Sequence, residues 1–459
     1  MELSDTALAV GKLVCVLAVL LVLLRLHVSL WLTILAATLV VALSSGIYPM
    51  QWPAFLVNTA TQPDFILLCV MIFLIMLLSA VQDASGQSAR LVDGLKQYLT
   101  KPRIRLVIFP ALVGLLPMPG GALFSCPMIE AAAKDMAVTD SQKALINYWF
   151  RHIWEVAWPL YPGYALVSAL LGIPMTVLWQ YTFPLVFLSF GAGWFCYMRS
   201  LSRSLLLDGQ CRDSAGEAGS VLATGASGLS TQGESGRIPQ NRESLGKVLL
   251  NALPIGVTLI GAGIFAILFD IFFPALPGQL AFTFSLLCAV AIALFQGRGH
   301  MSKSFGQLLL SHSAGKILLL LLAVFLFKEC VRLSGIVEDI SHVGDSSLLL
   351  VLAFVIVPLI SGLLTGIMVA FVGLSFPLLL GLLEHSPMKE YLLPLTVLGI
   401  VAGNSGQMIS PLHVCLVVTC EFFKTRLISL WRSLLLPFSI ILIGGMVWAL
   451  ILALMGAHL

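Results

Sequence analysis

Runs of about twenty apolar residues recur along the whole chain of 459 residues, and they limit its fold more than any other feature. One apolar helix crosses the hydrocarbon core of a bilayer in roughly 20 residues. Hydrophobic residues make up 59% of the chain and charged residues only 10%, against about 25% charged in soluble domains. We therefore predict an all-α polytopic membrane protein, with spans at about 8–25, 28–46, 64–82, 143–172, 174–198, 247–270, 278–296, 315–331, 391–422 and 431–456.

Two further apolar stretches, 104–133 and 347–383, fit no single span because each is interrupted in its middle. Pro117-Met-Pro-Gly-Gly121 breaks the first, since neither proline nor paired glycine continues a helix. Each arm of that stretch then has about 13 residues and reaches about 20 Å, short of a core of about 30 Å. The pattern predicts a re-entrant hairpin in each stretch, and the alternative is one kinked span.

Basic residues are concentrated in four loops, which predicts the orientation of the chain. Lysine and arginine occur in 83–106, 199–247, 297–316 and 423–432, whereas 47–63 has neither. With ten spans and two hairpins, all four basic loops lie on one side of the membrane, the cytoplasm. The formal net charge of +3 is too small to indicate nucleic acid as a partner.

Short motifs recur at a near-constant offset of about 250 residues, which indicates an internal repeat. Ser125-Cys-Pro127 matches Ser375-Phe-Pro377. Each half would hold five crossings and one hairpin, and an odd number of crossings places two copies in opposite orientations, giving an inverted repeat. The predicted units are an N-terminal repeat at 1–200, a flexible cytoplasmic linker at 201–246 and a C-terminal repeat at 247–459, with hairpins at about 104–133 and 347–383 and broken helices at about 143–172 and 391–422.

The first broken helix carries three ionisable residues in an apolar segment. Arg151, His152 and Glu155 are spaced so that they can share one helical face, and Pro159 and Pro162 should interrupt the helix beyond them. Charges at membrane depth are costly unless paired or hydrated, so they mark transport pathways. We predict that Arg151 balances the charge of a substrate and that Glu155, with His152, carries a coupling proton. The alternative is a structural Arg–Glu pair.

The matching break in the second half, Gly403–His413, is polar but uncharged except for its histidine. At an offset of 252, His152 corresponds to Asn404 and Glu155 to Gln407. Amides, hydroxyls and freed backbone carbonyls can coordinate Na⁺ or hydrogen-bond a carboxylate, and the alternative is a Gly/Pro kink. The predicted substrate contacts are Asn404 and Ser405, the predicted coupling-ion contacts are Gln407 and Ser410, and the predicted place for Na⁺ is near Asn404 and Ser405.

The hairpin tips complete the predicted site, because half-helix N-termini direct partial positive charge at an anion. The first tip is Pro117–Gly121 and the second is Ser361–Gly366. Glycine-rich tips also permit close helix packing, so these residues need not touch substrate. The predicted substrate-binding residues of the hairpins are Pro119, Gly120, Gly121 and Ser125 in the first, and Thr365, Gly366 and Ser375 in the second.

Two motifs carry a resemblance to a known family. Leu115–Met128, which contains Pro-Met-Pro-Gly-Gly, and Gly403–Leu416, which contains Asn-Ser-Gly-Gln-Met, resemble domain-of-unknown-function family 401, a prokaryotic membrane family. That family is similar to the ion transporter superfamily of dicarboxylate/sodium symporters, citrate transporters, gluconate permeases and TRAP-transporter large subunits. The resemblance covers nearly the whole chain apart from the linker.

This resemblance implies substrate between the hairpin tips, elevator-type alternating access, a homodimer and the inner membrane of a prokaryotic cell. It also implies anionic substrates, mostly carboxylates, driven by Na⁺ or H⁺. Sodium/dicarboxylate members carry Ser-Asn-Thr at both tips, whereas this chain has Met118–Gly121 and Leu363–Gly366 there. The carboxylate clamp and the sodium sites of those members therefore do not transfer to this chain.

The function expected from these features is secondary active transport of a small organic anion coupled to H⁺ or Na⁺, with no cofactor other than Na⁺. One alternative is the membrane subunit of a multi-component, TRAP-like transporter. Another is an anion channel, which needs a continuous pore with rings of selectivity groups. An enzyme is not expected, because the chain has neither HExxH nor GxSxG.

Overall fold

A computed structural model describes residues 15–46, 52–99, 101–115, 121–199, 244–299, 312–334 and 346–457, apart from 17, 21, 24, 27, 135, 275 and 385. Within these ranges the chain is helical and has no strands. Six helical segments are long and apolar enough to cross a membrane, which confirms the prediction of an all-α membrane protein. They are Pro63–Ala84, Met175–Met198, Leu245–Phe272, Gln279–Gly297, Ser347–Thr365 and Leu427–Leu454.

The first half of the chain contains short helices as well as spans. Helix boundaries follow local signals: Thr139 and Gln142 form a capping box, in which the Gln142 N–H donates to Thr139 Oγ1 and the Thr139 N–H donates to Gln142 Oε1. The described helices are α1 Leu30–Ser44, α2 Trp52–Ala60, α3 Pro63–Ala84, α4 Gln87–Lys96, α5 Pro102–Gly114, α6 Gly121–Ala132, α7 Asp140–His152, α8 Pro162–Leu171, α9 Met175–Thr182 and α10 Pro184–Gly193, with a π-helical turn at Trp194–Met198.

The second half repeats this alternation of long and short helices. Its described helices are α11 Leu245–Phe272, α12 Gln279–Gly297, α13 His312–Leu333, α14 Ser347–Thr365, α15 Met368–Glu384, α16 Leu392–Met408, α17 Val414–Phe422 and α18 Leu427–Leu454, with a 3₁₀ turn at Lys389–Tyr391.

Both stretches predicted to be hairpins form pairs of helices that pack against each other. In the first pair, α5 has 13 residues and α6 has 12, so each is too short to cross a bilayer. In the second pair, α14 has 19 residues and is long enough to cross. The prediction that the arms of a hairpin have half the length of a span is therefore wrong for α14. The turn of the second pair is also shorter than predicted. Ser361 and Thr365 belong to α14, and the turn consists of Gly366 and Ile367.

Helices of the two halves pack on each other, and within each half a helix pair packs on one central helix. Helix α1 packs against α13, and α3 packs against α12. The pair α5–α6 packs on α7, and the pair α14–α15 packs on α16. Helices α7 and α16 form the centre: every residue of α16 from Leu393 to Met408 is buried, and Tyr148, Trp149 and Phe150 of α7 are among the largest fully buried side chains.

Some predicted features lie outside the described residues. These are nearly all of the linker at 201–246, of which 244–246 is described, and the tip residues Pro119 and Gly120.

Candidate functional site

The predicted charged segment lies where α7 ends, and its geometry differs from the prediction. Helix α7 stops at His152, and residues 153–160 form turns before α8 begins at Pro162. Glu155 is therefore in a turn, with its N–H donating to His152 O at 3.1 Å. The expectation that Arg151, His152 and Glu155 share one helical face is wrong, because the helix ends before Glu155.

Three aromatic residues of this turn satisfy the carbonyl groups at the end of α5. Trp154 Nε1 donates to Ala111 O at 2.8 Å. Trp158 Nε1 donates to Leu115 O at 2.8 Å, and Tyr161 Oη donates to Gly114 O at 2.7 Å. The last carbonyls of a helix have no intrahelical partner, so these bonds fix the end of α5 to the break between α7 and α8.

The break in the second half begins later than predicted. Helix α16 continues through Gly403, Asn404, Ser405 and Gly406 to Met408, and the irregular segment is 409–413. A Cβ at Gly406 would lie 2.0 Å from Leu359 O of α14. These glycines therefore allow α14 to pack on an intact helix, and no backbone carbonyl is freed at the positions that precede Gln407.

Glu155 is held by the second half of the chain. Gln407 Nε2 donates to Glu155 Oε2 at 2.6 Å, and both residues are buried. Tyr148 makes a second link between the same elements, since its hydroxyl donates to Met408 O at 2.7 Å. The end of α16 and the turn after α7 are thus joined by side chains.

His152 and His413 face each other across this junction, with their Nε2 atoms 3.1 Å apart. His152 Nδ1 lies 2.5 Å from Tyr148 O, and a carbonyl can only accept, so Nδ1 carries a proton. Arg151 Nη1 lies 3.2 Å from His152 Nε2. The Nε2 lone pair of neutral His152 thus points at two donors, and Glu155 Oε1 is 3.8 Å away.

Arg151 lies against the N-terminus of two helices. Its guanidinium contacts the first residue of α6 so closely that a Cβ at Gly121 would be 2.5 Å from Nη2. Its Nη1 also donates to Cys415 Sγ at 3.0 Å, in the first turn of α17. Because helix N-termini carry partial positive charge, a cation and two positive helix ends meet in one buried place.

A second pair of helix N-termini meets on the other side of the centre. Helix α8 packs against α15, and a Cβ at Gly163 would lie 2.5 Å from Met368 Cγ. Gly163 and Met368 are in the first turns of their helices. The first turns of α8 and α15 therefore contact each other, and α6 and α17 are also in contact.

Four buried oxygens on α16 have no hydrogen-bond partner among the described residues. They are Thr396 Oγ1, Asn404 Oδ1, Ser405 Oγ and Gln407 Oε1, and all four side chains are at most 3% exposed. The last three lie together at the end of the helix, and Thr396 lies two turns earlier. A buried oxygen without a partner loses the free energy of its hydration. These atoms are therefore available to a bound cation, a water molecule or a donor on a ligand.

The remaining predicted residues contact backbone groups, most of them within a few positions along the chain. Ser125 Oγ lies 3.3 Å from Gly121 O, and Ser375 Oγ donates to Phe371 O at 2.5 Å, each four residues earlier in its own helix. Thr365 Oγ1 donates to Ser361 O at 2.7 Å, and Ser410 Oγ accepts from the Leu412 N–H at 3.2 Å. Gly366, with φ of 65°, ends α14 against the backbone of His413. These groups shape the tips and breaks, and in this conformation their hydroxyls point at backbone.

His413 lies at the end of the predicted second break but has no predicted role, and Cys415 is not among the predicted site residues. Both belong to the cluster, because the short segment between α16 and α17 turns back onto α7. The available signal was their position beside Pro411, at the start of a half-length helix. Their contact with residues about 260 positions earlier could not be read from the sequence.

The fold and the site together define a class: an all-helical membrane protein with a buried cluster of ionisable side chains at its centre. The chain belongs to the family described as protein of unknown function (DUF401), whose model matches residues 6–214 and 221–453. The family part of the sequence prediction is thus confirmed. No match was found among curated proteins.

Proposed function

We propose that this protein is a secondary active transporter for a small organic anion of the carboxylate class. The observation that carries the proposal is the position of Arg151, whose guanidinium lies against the N-terminus of α6 and in the first turn of α17. A guanidinium and two helix N-termini that converge in one place form a site that attracts an anion. The Glu155 carboxylate of the same cluster opposes the charge of Arg151 in the absence of substrate, and an anionic substrate would take over that role when it binds.

An inverted repeat of two halves would support alternating access. Two close helix contacts at corresponding positions of the halves favour such a repeat in this chain. Ideal Cβ atoms at Gly114 and Gly362 would lie 2.0 Å from Arg151 O and 2.1 Å from Gly403 O. The two contacts join α5 to α7 and α14 to α16, at offsets close to 250 in the sequence. We propose five crossings and one helix pair in each half, with the helix pairs and the broken helices that they pack on moving together relative to the other spans in an elevator-type cycle.

The proposed coupling ion is Na⁺ or H⁺, and the unpartnered oxygens of Asn404, Ser405 and Gln407 favour Na⁺. Oxygen ligands suit this hard cation. Glu155 beside Gln407 would supply the negative charge, while His152 and Ser410 border the site. In the proton-coupled alternative, Glu155 takes up a proton and releases it once per transport cycle.

The wider setting remains part of the proposal. We propose membership of the ion transporter superfamily, a place in the prokaryotic inner membrane with the linker in the cytoplasm, and a homodimer. The chain would act without a cofactor, and it would not be an enzyme. A TRAP-like membrane subunit would also need a binding protein, and an anion channel would need a continuous pore.

The test is ligand binding followed by transport. Purified protein in detergent is screened by thermal shift with dicarboxylates, tricarboxylates and sugar acids, with and without Na⁺ and at two pH values. A ligand that binds the folded state raises the melting temperature. We expect one carboxylate to stabilise the wild type but not Arg151→Gln, and to accumulate in proteoliposomes only with an ion gradient. Single-channel currents, or a dependence on an added binding protein, would contradict a self-sufficient secondary transporter.

A further inference from the structure

The centre of the molecule holds a set of nitrogen and sulfur ligands that overlaps the proposed transport site at His152 and Glu155. We propose that His152, His413 and Cys415 form a binding site for a zinc-class transition metal ion. The Glu155 carboxylate, 3.8 Å from His152 Nε2, lies outside this group of three and would become the fourth ligand by a shift of its side chain. This proposal does not depend on the transport function, since it concerns metal binding to the purified protein.

The geometry of the three donors is close to that of a metal centre. His Nε2, His Nε2 and Cys Sγ all lie within 4.8 Å of one another, and the two nitrogens are 3.1 Å apart. In tetrahedral zinc sites, bonds of about 2.0–2.1 Å to nitrogen and about 2.3 Å to sulfur place ligand atoms about 3.3–3.8 Å apart. The donors therefore need to move by only about 1 Å or less toward the metal, which side-chain rotation can supply.

The orientation of His152 also suits a ligand. Metal-binding histidines commonly donate their other ring N–H to a carbonyl or carboxylate, which fixes the tautomer. His152 Nδ1 lies 2.5 Å from Tyr148 O, so its Nε2 lone pair faces His413 and Cys415. The ring is buried and stacks at a tilt on Tyr148, with centroids 4.6 Å apart.

The chemical types of the three donor atoms indicate which class of metal ion the site would prefer. Two imidazole nitrogens and one sulfur are a set that favours zinc, cobalt or cadmium over Na⁺, Mg²⁺ or Ca²⁺, which prefer oxygen. The oxygens on α16 and the nitrogen–sulfur group at the break are therefore chemically different sites. Ligands come from the end of α7 and the start of α17, so a bound metal would join the two halves of the chain.

Arg151 contacts two of the three proposed ligands, His152 and Cys415. Its Nη1 lies 3.2 Å from His152 Nε2 and 3.0 Å from Cys415 Sγ, directed at the lone pairs that a metal would use. A guanidinium and a metal ion cannot share these lone pairs. Metal binding must therefore displace Arg151, and removal of its positive charge should strengthen binding.

Charge balance agrees with this exchange. With Arg151 in place, its positive charge is opposed by the Glu155 carboxylate. When a divalent ion enters, the Cys415 thiol loses its proton to solvent, and the thiolate and the Glu155 carboxylate neutralise the ion. The guanidinium of Arg151 stays protonated, so it must leave the cluster when the metal binds, because its charge would otherwise be uncompensated in a buried place.

The test uses Co²⁺ as a spectroscopic probe on the full chain in detergent. A thiolate bound to Co²⁺ gives a sulfur-to-metal charge-transfer band, and tetrahedral coordination gives intense visible bands. We expect about one equivalent to bind the wild type, loss of the charge-transfer band in Cys415→Ser, and weaker binding in His413→Asn. Cys420→Ser is the matched control, because Cys420 is also a buried cysteine of α17 but lies outside the cluster. It should bind as the wild type does.

Arg151→Gln provides the sharpest result, because its Kd for Co²⁺ should fall about tenfold or more. Absence of the charge-transfer band in both the wild type and Arg151→Gln would overturn the proposal, as would a band that persists in Cys415→Ser. Folding of each variant is checked by size-exclusion chromatography and circular dichroism. If a variant misfolds, X-ray absorption of the zinc-loaded wild type decides: one sulfur and two imidazoles support the site, and only oxygen neighbours contradict it.

Discussion

Glu155 and Gln407 are 252 residues apart in the chain, and their buried side chains share a hydrogen bond of 2.6 Å. The same offset relates the two halves in the proposed repeat, so each residue is the other's counterpart. In an inverted repeat, counterparts can touch only near the pseudo-two-fold axis. This contact therefore places the one carboxylate of the cluster at the proposed centre of symmetry, where a coupling ion could be reached from either side.

Glu155→Gln should separate coupling from substrate exchange. Glutamine keeps the shape of the side chain but not its negative charge, so neither Na⁺ nor a proton can be held there as before. We expect accumulation against a gradient to be lost in proteoliposomes while substrate counterflow continues.

Glu421→Gln is the control for that experiment, because Glu421 is exposed near the end of α17. Full accumulation by Glu155→Gln would show that the coupling ion binds elsewhere.

Gly121→Ala should weaken anion binding by moving Arg151. The new Cβ would lie 2.5 Å from Nη2, so the guanidinium must shift away from the N-terminus of α6. We expect Kd for the substrate to rise about tenfold, equivalent to about 1.4 kcal/mol, in a thermal-shift or isothermal titration. Gly191→Ala in α10 is the matched control, since nothing lies within 4 Å of its ideal Cβ. Equal affinities of the two variants would remove Arg151 from the anion site.

Asn404→Ala should raise the Na⁺ concentration that gives half-maximal transport, by about tenfold, if its unpartnered oxygen is a ligand. Transport is measured over a range of Na⁺ at constant pH and ionic strength. Thr396→Val is the control, because Thr396 Oγ1 is an equally buried and unpartnered oxygen of α16, two turns earlier. A common shift in both variants would indicate a general effect on α16, and no Na⁺ dependence in the wild type would favour the proton.

Trp154→Phe and Trp158→Phe should each reduce stability, because each removes an indole donor from a carbonyl at the end of α5. The loss should be smaller for Trp154→Phe, because Ala111 O keeps the N–H of Leu115 at 3.2 Å. The expected loss is about 0.5–1.5 kcal/mol for each bond, seen as a lower melting temperature in detergent. Trp179→Phe makes the same change at an indole N–H that has no partner among the described residues, so it should cost less. A similar loss in all three variants would assign the effect to aromatic packing.

The membrane class, all but one of the six long apolar helices and the ionisable residues could be predicted because each depends on local sequence. Apolar runs of sufficient length identify a span in any context, and Arg151, His152 and Glu155 are conspicuous in such a run. The ends of the helices could not be predicted in the same way. The turn after α7 bonds to α5 through Trp154 and Trp158. Helix α16 runs through Gly403, which packs against Phe371 of α15, and through Gly406, which packs against α14.

The cluster was predicted incompletely for a related reason. The repeat made Gln407 the counterpart of Glu155 but did not predict their contact. At the same offset His413 corresponds to Tyr161 and Cys415 to Gly163, and neither counterpart is ionisable in a way that would identify His413 and Cys415. Their role depends on a five-residue segment, 409–413, that returns to α7. Such a contact is a property of the tertiary structure and leaves little trace in composition or periodicity.

The aromatic bonds between the α7–α8 break and the end of α5 also determine which parts can travel together. Trp154, Trp158 and Tyr161 each donate to a different carbonyl, so sliding α5 past the break would sever three hydrogen bonds at once, at a cost in a buried, apolar place. The first helix pair should therefore move together with the break and not open against it. Any opening that admits a substrate must be sought at the second pair, whose turn at Gly366 rests on His413 by backbone contact.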